Sequence, residues 1–432
     1  MASEPLNLSP HLCRLRQQRV RKRLAELSVD RAILVGHENV QYLTGFRPHR
    51  LMQAAVCLET DGRCILAAPN QEPELAAADE IVTFSAQWHS TLRQEQPEIA
   101  IATLVNAVGS NLGGRTAVEY SGCGHHLSQY VAGPDCLVDV DRQMWQIRRR
   151  KEADELAMIR RAIECTEAMY VRAREIIAPG ISELEVFNQL HAVAVDVAGE
   201  PLTALGNDFQ CNSPGGPPRD RTARDGELFI LDLGPAYRGY YADNCRTIAV
   251  NRQPTDEQVN AWQAIVAVLD MVEDTVIPGA SCRTLFETAQ AMLDEYCPDA
   301  FFHHLGHGFG LFPHEAPHLN PNWDDTFQEG DCFTAEPGLY TDELKAGIRL
   351  EQNYRVTNNG MERMTILSQE LQLVSPTTHQ SINTSYKRTR VCLHRTRRSG
   401  ASSSLVPRLR LGTEDKRQSE TWLVGTGPCI LR

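Results

Sequence analysis

No stretch of the 432-residue sequence contains the ~18 consecutive uncharged apolar residues that a membrane-spanning helix requires. The basic residues near its start, in MASEPLNLSPHLCRLRQQRVRKRL, are not followed by an apolar core, which argues against a secretory signal. With 42% apolar and 23% charged residues, the composition is typical of a soluble globular protein. We therefore expect a cytoplasmic protein with no membrane contact and enough chain for two or three domains.

Cys-x-x-Cys pairs are also missing, although the sequence has 13 cysteines. Their odd number and scattered positions indicate reduced thiols. A disulfide framework and a structural zinc site are both disfavoured.

Basic residues are scarce in the body of the chain. Before residue 378, Lys and Arg number 32 against 52 Asp and Glu, whereas residues 378–432 hold 11 against 3. Because phosphate binding needs clustered Lys and Arg, the acidic body argues against nucleic acid as the main partner. Residues 377–432 are polar, basic and without sustained periodicity, which predicts a disordered tail. A tail that contacts nucleic acid or an acidic surface is the alternative, and we assign it no function.

Residues 1–150 alternate strand-like and helix-like segments, which predicts an α/β domain. Apolar residues recur at helical spacing over 12–29, and strand-like runs follow at DRAILVG, AAVCLE and CILAA. The next segment predicts a long amphipathic helix, because apolar residues lie at helical spacing among charged ones, at Leu156, Ile159, Ile163 and Met169. We place the domain boundary at the start of this helix, near residue 150.

The region after this helix contains an internal repeat. IIAPGISELEVFNQL at 176–190 and TVIPGASCRTLFETA at 275–289 share Pro-Gly, Ser, a bulky aliphatic residue and Phe at an offset of 99 residues. Ser182 and Ser281 are predicted to cap a helix in each copy, with Glu185 completing a capping box in the first. Two coincident helix-start patterns are the alternative. A duplicated domain would place its functional site between the halves.

Two aspartates lie in ELFILDLGPAYRGYYADNCRTIAV, a pattern typical of a β-hairpin. If the loop is centred between Tyr237 and Arg238, Asp232 and Asp243 are direct cross-strand neighbours. Their Cβ atoms would lie roughly 4.5 to 5.5 Å apart, where like charges are destabilising unless a positive charge lies between them. The hairpin therefore indicates a cation at this position.

A second carboxylate pair occurs in FTAEPGLYTDELKAGIRLEQNYRVT. A hairpin centred between residues 343 and 344 places Glu336 opposite Glu351. Strand alternation puts Arg349 on the same face as Glu351, where it can support the carboxylates or contact a substrate.

Histidines concentrate between the two hairpins, in FFHHLGHGFGLFPHEAPHL, which holds five of the 14 in the sequence. Glycines at 306, 308 and 310 permit close backbone approach there, and His307 is the predicted ligand. If the four carboxylates and this imidazole converge, about four negative charges require compensation in a low-dielectric site. Two divalent cations would neutralise them. Such paired metals serve two-metal hydrolases, which points to amide hydrolysis.

The segments LDLGPAYRGYYADNCRT, HHLGHGFGLFPHE, FTAEPGLY and GIRLEQNYRVT resemble the successive metal-site motifs of the pita-bread metallopeptidases. This family includes Xaa-Pro aminopeptidase, prolidase and methionine aminopeptidase. HENVQYLTGF resembles the creatinase-type N-terminal domain, which favours the proline-directed branch. The resemblance covers nearly everything but the tail. It implies an α+β architecture with a creatinase-type domain at 1–150 and a pita-bread domain at 151–376.

The resemblance also implies how the metal ions would be held. Asp232 would bind one ion, His307 and Glu336 the other, and Asp243 and Glu351 both. Glu336 would also hold the attacking water and take its proton. An oxygen-rich set with one nitrogen suits manganese, which we expect, or cobalt, zinc or iron.

Further residues of the same motifs match active-site positions of the family. His303 and His314 would bind the substrate carbonyl and stabilise the tetrahedral intermediate. Arg349 matches an arginine that supports the metal-binding carboxylates. Packing or capping roles for the two histidines are the alternatives, as is a purely supporting role for Arg349. His304 and His318 are predicted to be bystanders.

The sequence departs from the family pattern before the first hairpin. The family usually carries another catalytic histidine there, but residues 201–250 contain none. Arg219, Asp220 and Arg221 are candidates for a compensating polar group; otherwise proton transfer is impaired. His304 also stands where a glycine is common, and Cys245 where a threonine is often found.

The implied function is hydrolysis of the bond before proline, in a peptide N-terminus or in an Xaa-Pro dipeptide, by a homodimer that contains two metal ions per site. One alternative is a peptide- or partner-binding protein that has lost its activity. The missing histidine favours it slightly, whereas four retained carboxylates argue against it. A metal-dependent non-peptidase on the same fold, such as a lyase, is the other alternative.

Overall fold

A computed structural model of the protein describes residues 6–88, 95–109, 112–122, 124–344, 346–369 and 371–374. The tail expected at 377–432 lies outside the described residues. No helix in these ranges is both long and apolar enough to cross a membrane.

The first part of the chain forms a six-stranded sheet with helices packed on it. In chain order its elements are α1 (Pro10–Glu26), β1 (Arg31–Leu34), α2 (His37–Thr44), β2 (Ala55–Glu59), β3 (Cys64–Pro69), β4 (Glu80–Phe84), α3 (Glu95–Val108), β5 (Thr116–Val118), α4 (Gly124–Leu127), β6 (Leu137–Asp139) and α5 (Asp141–Arg148). The strand order is β4-β3-β2-β1-β5-β6, with antiparallel pairing of β1 to β2 and of β2 to β3 and parallel pairing elsewhere.

Both faces of this sheet are buried, because successive side chains of a strand point to opposite faces. Ala32 and Leu34 pack into one apolar core, and Ile33 and Val35 pack into another. Helix α1 contributes to the first core and α3 to the second. The predicted alternation of strands and helices is confirmed.

The second part combines helices and small sheets. Its elements are α6 (Ala153–Ile176), α7 (Glu183–Ala198), β7 (Asp208–Cys211), β8 (Leu228–Asp232), β9 (Ala236–Tyr237), β10 (Tyr240–Tyr241), β11 (Cys245–Val250), α8 (Asp256–Thr275), α9 (Cys282–Tyr296), β12 (Gly306–Gly308), β13 (Glu315–Leu319), β14 (Cys332–Ala335), β15 (Gly338–Thr341), β16 (Ala346–Arg349), β17 (Gln352–Thr357), β18 (Gly360–Arg363) and β19 (Gln372–Val374). The larger sheets have the orders β19-β11-β8-β7 and β13-β12-β14-β17-β18, and β9 pairs with β10 and β15 with β16.

Helix α6 is the amphipathic helix that the sequence predicts. It begins with a capping box formed by Glu152 and Glu155, and its predicted apolar positions are buried, at Leu156, Ile159, Ile163 and Met169. Burial of this stripe packs α6 against both α7 and the first hairpin.

The internal repeat corresponds to two helix pairs, α6 with α7 and α8 with α9. Ser182 accepts a hydrogen bond from the backbone N–H of Glu185, and Ser281 accepts one from Thr284, so both predicted caps are confirmed. The capping box predicted for Glu185 is wrong, because its carboxylate instead accepts a hydrogen bond from Gln189 Nε2 at 3.2 Å. Each helix pair packs on its own apolar core.

The register predicted for the first hairpin is wrong by two residues. Cys245, not Asp243, lies opposite Asp232, and the turn is centred between Arg238 and Gly239. These two residues have φ angles of 48° and 87°, the positive values that a tight two-residue hairpin turn requires. A shift of two residues keeps each side chain on its original face. Asp243 therefore stays on the same side of the hairpin as Asp232.

The register predicted for the second hairpin is confirmed. Gly338 pairs with Arg349, and Ala335 pairs with Gln352, in two ladders of the same register. Glu336 and Glu351 lie between these ladders and so face each other.

Candidate metal centre

The predicted site residues come together in a cleft of about 230 Å³. They reach it from both halves of the second part, since β8 ends at Asp232 and His307 lies in β12. The lining comprises Asn207, Asp208, Asp232, Asp243, His303, His304, His307, His314, Glu336, Arg349 and Glu351. All eight residues singled out in the sequence as ligands or active-site groups are among them.

His307 faces the carboxylates of the cleft. Its Nε2 lies 3.5 Å from Glu336 Oε1 and 3.8 Å from Asp243 Oδ2. Ligand atoms of Asp243, His307 and Glu351 all lie within 4.8 Å of one another. Side chains at such distances can bind a common ion after small adjustments.

The backbone around His307 explains this orientation. The pairing of β12 with β13 shifts register between His307 and Gly308, and such a bulge redirects a side chain. A Cβ atom on Gly306 would meet the Thr334 carbonyl oxygen at 2.0 Å, and one on Gly308 would meet that of Ala316 at 2.0 Å. His307 Nδ1 lies 3.0 Å from the Gly308 carbonyl oxygen, to which it donates, so Nε2 keeps its lone pair for the cleft.

Burial disfavours the charged forms of the carboxyl groups in the cleft. Burial, reinforced by the neighbouring carboxylates, raises the pKa of Asp232 to about 6 and the pKa values of Asp243 and Glu351 well above their usual range. Burial also raises the pKa of Glu336, but the hydrogen bond and positive charge of His304 outweigh it and leave a net lowering. Three of the four carboxyls therefore need a positive partner to ionise readily.

This donor set fits divalent cations. Within the described residues, neither carboxylate oxygen of the buried Glu351 has a hydrogen-bond partner. Buried polar atoms are rarely left in this state, and a bound cation would satisfy them. Burial also lowers the pKa of His307 to about 3, which keeps the ring neutral and able to bind a metal.

The sequence did not identify three polar residues beside the predicted ones, Asn207, Asp208 and Tyr340. Arg349 Nη2 donates to Asp208 Oδ2 at 2.5 Å and to Asp232 Oδ2 at 2.8 Å. Its Nη1 donates to the Tyr340 hydroxyl at 2.9 Å, and this hydroxyl lies 2.9 Å from His303 Nε2. Tyr340 could have been identified from the sequence. It lies four residues after Glu336, and the alternation of side chains along a strand places the two on the same face. No sequence signal marks Asp208.

Comparison with known proteins identifies the family. Residues 157–358 match the model for metallopeptidase family M24, and residues 16–149 match the creatinase/prolidase N-terminal domain. Residues 157–358 form a domain of metallopeptidase family M24. The chain is 27% identical over 351 residues to an uncharacterized peptidase of Staphylococcus aureus, across 78% of this chain and 94% of the relative.

Two further relatives carry names. An Xaa-Pro dipeptidase of Pyrococcus furiosus is 26% identical over 365 residues, across 82% of this chain and 99% of the relative. The solved structure of prolidase from Pyrococcus furiosus superimposes with a TM-score of 0.68 at 25% identity, across 81% of this chain and 99% of that one. The predicted fold, a creatinase-type domain followed by a pita-bread domain, is confirmed, and so is the enzyme class, a metallopeptidase. The alternatives of a binding protein and a non-peptidase gain no support.

The prediction that His304 is a bystander is wrong. Its Nε2 lies 2.8 Å from Glu336 Oε1. His318, by contrast, bonds Asp325 Oδ2 at 2.8 Å and stacks on Trp323 with ring centroids 4.4 Å apart.

The predicted compensating groups do not reach the cleft. Arg219 Nη2 donates to Glu183 at 2.7 Å, and Arg221 Nη2 donates to Glu227 at 2.5 Å. Asp220 is not among the described residues that line the cleft. Before the first hairpin, the polar side chains that line the cleft are instead those of Asn207 and Asp208.

His314 lies at the open side of the centre. Its ring stacks on His307 with centroids 3.9 Å apart and planes inclined by 23°. The turn that carries it is held by Glu315, which accepts a hydrogen bond from Arg148 at 2.8 Å and pairs with Lys151 at 3.4 Å. A second cavity of about 730 Å³ begins at His314 and reaches the N-terminal part of the peptidase.

Proposed function

We propose that this metallopeptidase hydrolyses the peptide bond before proline, with two divalent ions in the cleft. The observation that carries the proposal is the convergence of four buried carboxylates and one neutral imidazole, in which three carboxyls resist ionisation. The named relatives support the substrate class, since one is an Xaa-Pro dipeptidase and one a prolidase.

Five residues would hold the ions. Asp232 would bind one, His307 and Glu336 the other, and Asp243 and Glu351 both. Two ions bound in this way supply Lewis acidity that activates a water molecule and polarises a carbonyl. The Glu336 carboxylate would orient that water and accept its proton.

Other side chains would position the peptide. His314 is exposed at the cleft and would donate a hydrogen bond to the substrate carbonyl oxygen. His303 bonds the His304 carbonyl oxygen through Nδ1 and the Tyr340 hydroxyl through Nε2. Both ring nitrogens are thus engaged, so His303 would bind the substrate carbonyl only when the bond to Tyr340 opens. Arg349 would keep Asp232 oriented.

We further propose manganese as the ion, because the donor set is rich in oxygen. A cytoplasmic location agrees with the free thiols of the ten cysteines within the described residues. A homodimer and a division into domains at 1–150 and 151–376 complete the proposal. Light scattering tests the homodimer, and limited proteolysis near residue 150 tests the domain division.

The decisive experiment compares matched substrates. Ala-Pro, Ala-Pro-Ala-Ala, Ala-Ala and Ala-Ala-Ala-Ala would be assayed with added manganese, cobalt or zinc. We expect cleavage of at least one proline substrate and neither control, and loss of that activity in Asp243→Asn. Preference for Ala-Pro indicates a dipeptidase, and preference for the tetrapeptide an aminopeptidase. Failure to cleave either proline substrate with any ion contradicts the proposal.

A further inference from the structure

The Glu336 carboxylate has one short contact with a side-chain donor. His304 Nε2 lies 2.8 Å from Glu336 Oε1. His307 Nε2 is 3.5 Å from the same oxygen, and Arg349 Nε is 3.8 Å from Oε2, which are too long for good hydrogen bonds. Among the described residues, His304 is therefore the side chain that hydrogen-bonds this carboxylate.

Such a contact matters because a glutamate carboxylate rotates easily. The last torsion of a glutamate side chain has a broad, roughly two-fold profile, so packing alone does not fix the plane of its oxygens. A group that binds a metal ion and takes a proton from water works best when that plane is fixed. We propose that His304 is a positioning residue that fixes the Glu336 carboxylate through this hydrogen bond.

His304 is itself held in place. Its backbone carbonyl accepts a hydrogen bond from His303 Nδ1 at 2.8 Å. Its ring meets those of His307 and His314 edge to face, with centroids 5.4 Å and 5.5 Å apart and planes at 88° and 86°. The imidazole therefore contacts Glu336 from a fixed direction.

Direct metal binding by His304 is the competing assignment. Ring nitrogens of His304, His307 and His314 lie within 4.8 Å of one another, as three ligands of one ion would. However, the nearly parallel stacking of His307 on His314 sets their lone pairs side by side rather than converging on one point. The hydrogen bond to Glu336 accounts for His304 without moving either ring.

The test uses the full-length protein and two substitutions at His304. His304→Gln keeps an N–H donor close to the place of Nε2, whereas His304→Ala removes it. We expect His304→Ala to weaken binding of one of two manganese ions about 10-fold in calorimetric titration. On an Xaa-Pro substrate, its kcat should fall about 10- to 100-fold while KM changes less than about three-fold. His304→Gln should recover most of both losses.

The matched control is His318→Ala, since His318 lies in the same segment but bonds Asp325. It should bind manganese and turn over substrate as the wild type does. Wild-type values in His304→Ala, or no recovery in His304→Gln, would overturn the proposal. So would a titration in which His304→Ala loses an entire ion, because that result assigns His304 as a ligand.

The kinetic part of this test rests on the proposed function, whereas the manganese titration does not need a substrate. If the wild type cleaves no Xaa-Pro peptide but His304→Ala still loses affinity that His304→Gln restores, the proposed activity fails and the role of His304 stands.

Discussion

Arg349 links Asp208 to Asp232, because its Nη2 donates to Asp232 Oδ2 at 2.8 Å and to Asp208 Oδ2 at 2.5 Å. One guanidinium thus donates hydrogen bonds to both a proposed metal ligand, Asp232, and a carboxylate outside the proposed ligand set, Asp208. Asp208 draws positive charge away from Asp232, which leaves Asp232 freer to bind an ion. We therefore expect Asp208 to affect metal affinity without contributing a ligand.

The first prediction is that Asp208→Asn weakens manganese binding by about 10-fold, the size of effect that supporting groups of metal ligands show. Without the Asp208 charge, Arg349 competes more strongly with the ion for Asp232. Calorimetric titration measures the affinity. Asp225→Asn is the control, since Asp225 pairs with Arg252 and does not line the cleft. Equal affinities of wild type and Asp208→Asn would contradict the proposed competition.

The second prediction concerns Glu351→Gln, which should stabilise the metal-free protein and destabilise the metal-bound one. Burial and neighbouring carboxylates raise the pKa of Glu351, so a neutral isostere relieves repulsion in the absence of metal. We expect the melting temperature in EDTA to rise and the increase on adding manganese to shrink. Differential scanning calorimetry measures both. A metal-free variant less stable than the metal-free wild type would refute the account.

The two hairpins show how far local pattern determines structure. The register of Glu336 and Glu351 follows from the sequence, because a symmetric loop between regular strands sets it. The register of Asp232 does not follow from the sequence in this way, because the choice between two adjacent turn centres depends on which residues take positive φ. Arg238 and Gly239 take those values, and the glycine was the available signal. Alternation with a period of two still placed both aspartates on the correct side.

The supporting contacts of the site were beyond sequence reasoning. Asp208 meets Arg349 across 141 residues, and His304 meets Glu336 across 32. No periodicity or turn signal encodes such pairs, because they depend on how separate strands pack. The predicted ligands converge because each lies in a strand, or within two residues of one, in a recognisable motif. Their hydrogen-bond partners have no such marker.

The third prediction tests the glycines around His307. A Cβ atom on Gly308 would lie 2.0 Å from the Ala316 carbonyl oxygen, so Gly308→Ala must displace the backbone. We expect a loss of about 2 to 3 kcal/mol in the free energy of unfolding, measured in urea. Gly360→Ala is the control, since a Cβ atom there meets nothing within 4 Å and the change should stay within about 0.5 kcal/mol. Similar losses in both variants would show that close approach is not the cause.

The fourth prediction concerns acid stability and the buried Glu183, in the first turn of α7. Its carboxylate accepts hydrogen bonds from Arg219 Nη2 at 2.7 Å, from the Arg219 backbone N–H at 2.8 Å and from the Cys211 N–H at 3.0 Å. Burial opposes ionisation, but these hydrogen bonds outweigh it and hold the pKa of Glu183 below its usual value. A lowered folded-state pKa stabilises the protein above the unfolded value of about 4.3, and this stabilisation is lost as pH falls through the folded pKa.

Glu183→Gln should therefore lower the free energy of unfolding at pH 7 by about 1 to 3 kcal/mol, because one acceptor and its charge are lost. The difference from wild type should shrink as pH falls below about 4, where the wild-type glutamate takes up a proton and becomes neutral, as the glutamine amide is at every pH. Urea unfolding followed at several pH values measures it. Glu185→Gln, two residues away and exposed, is the control and should differ little from wild type at any pH. A difference for Glu183→Gln that stays constant with pH would mean that packing of the side chain, rather than its charge, holds α7 to the strand that presents Asp208.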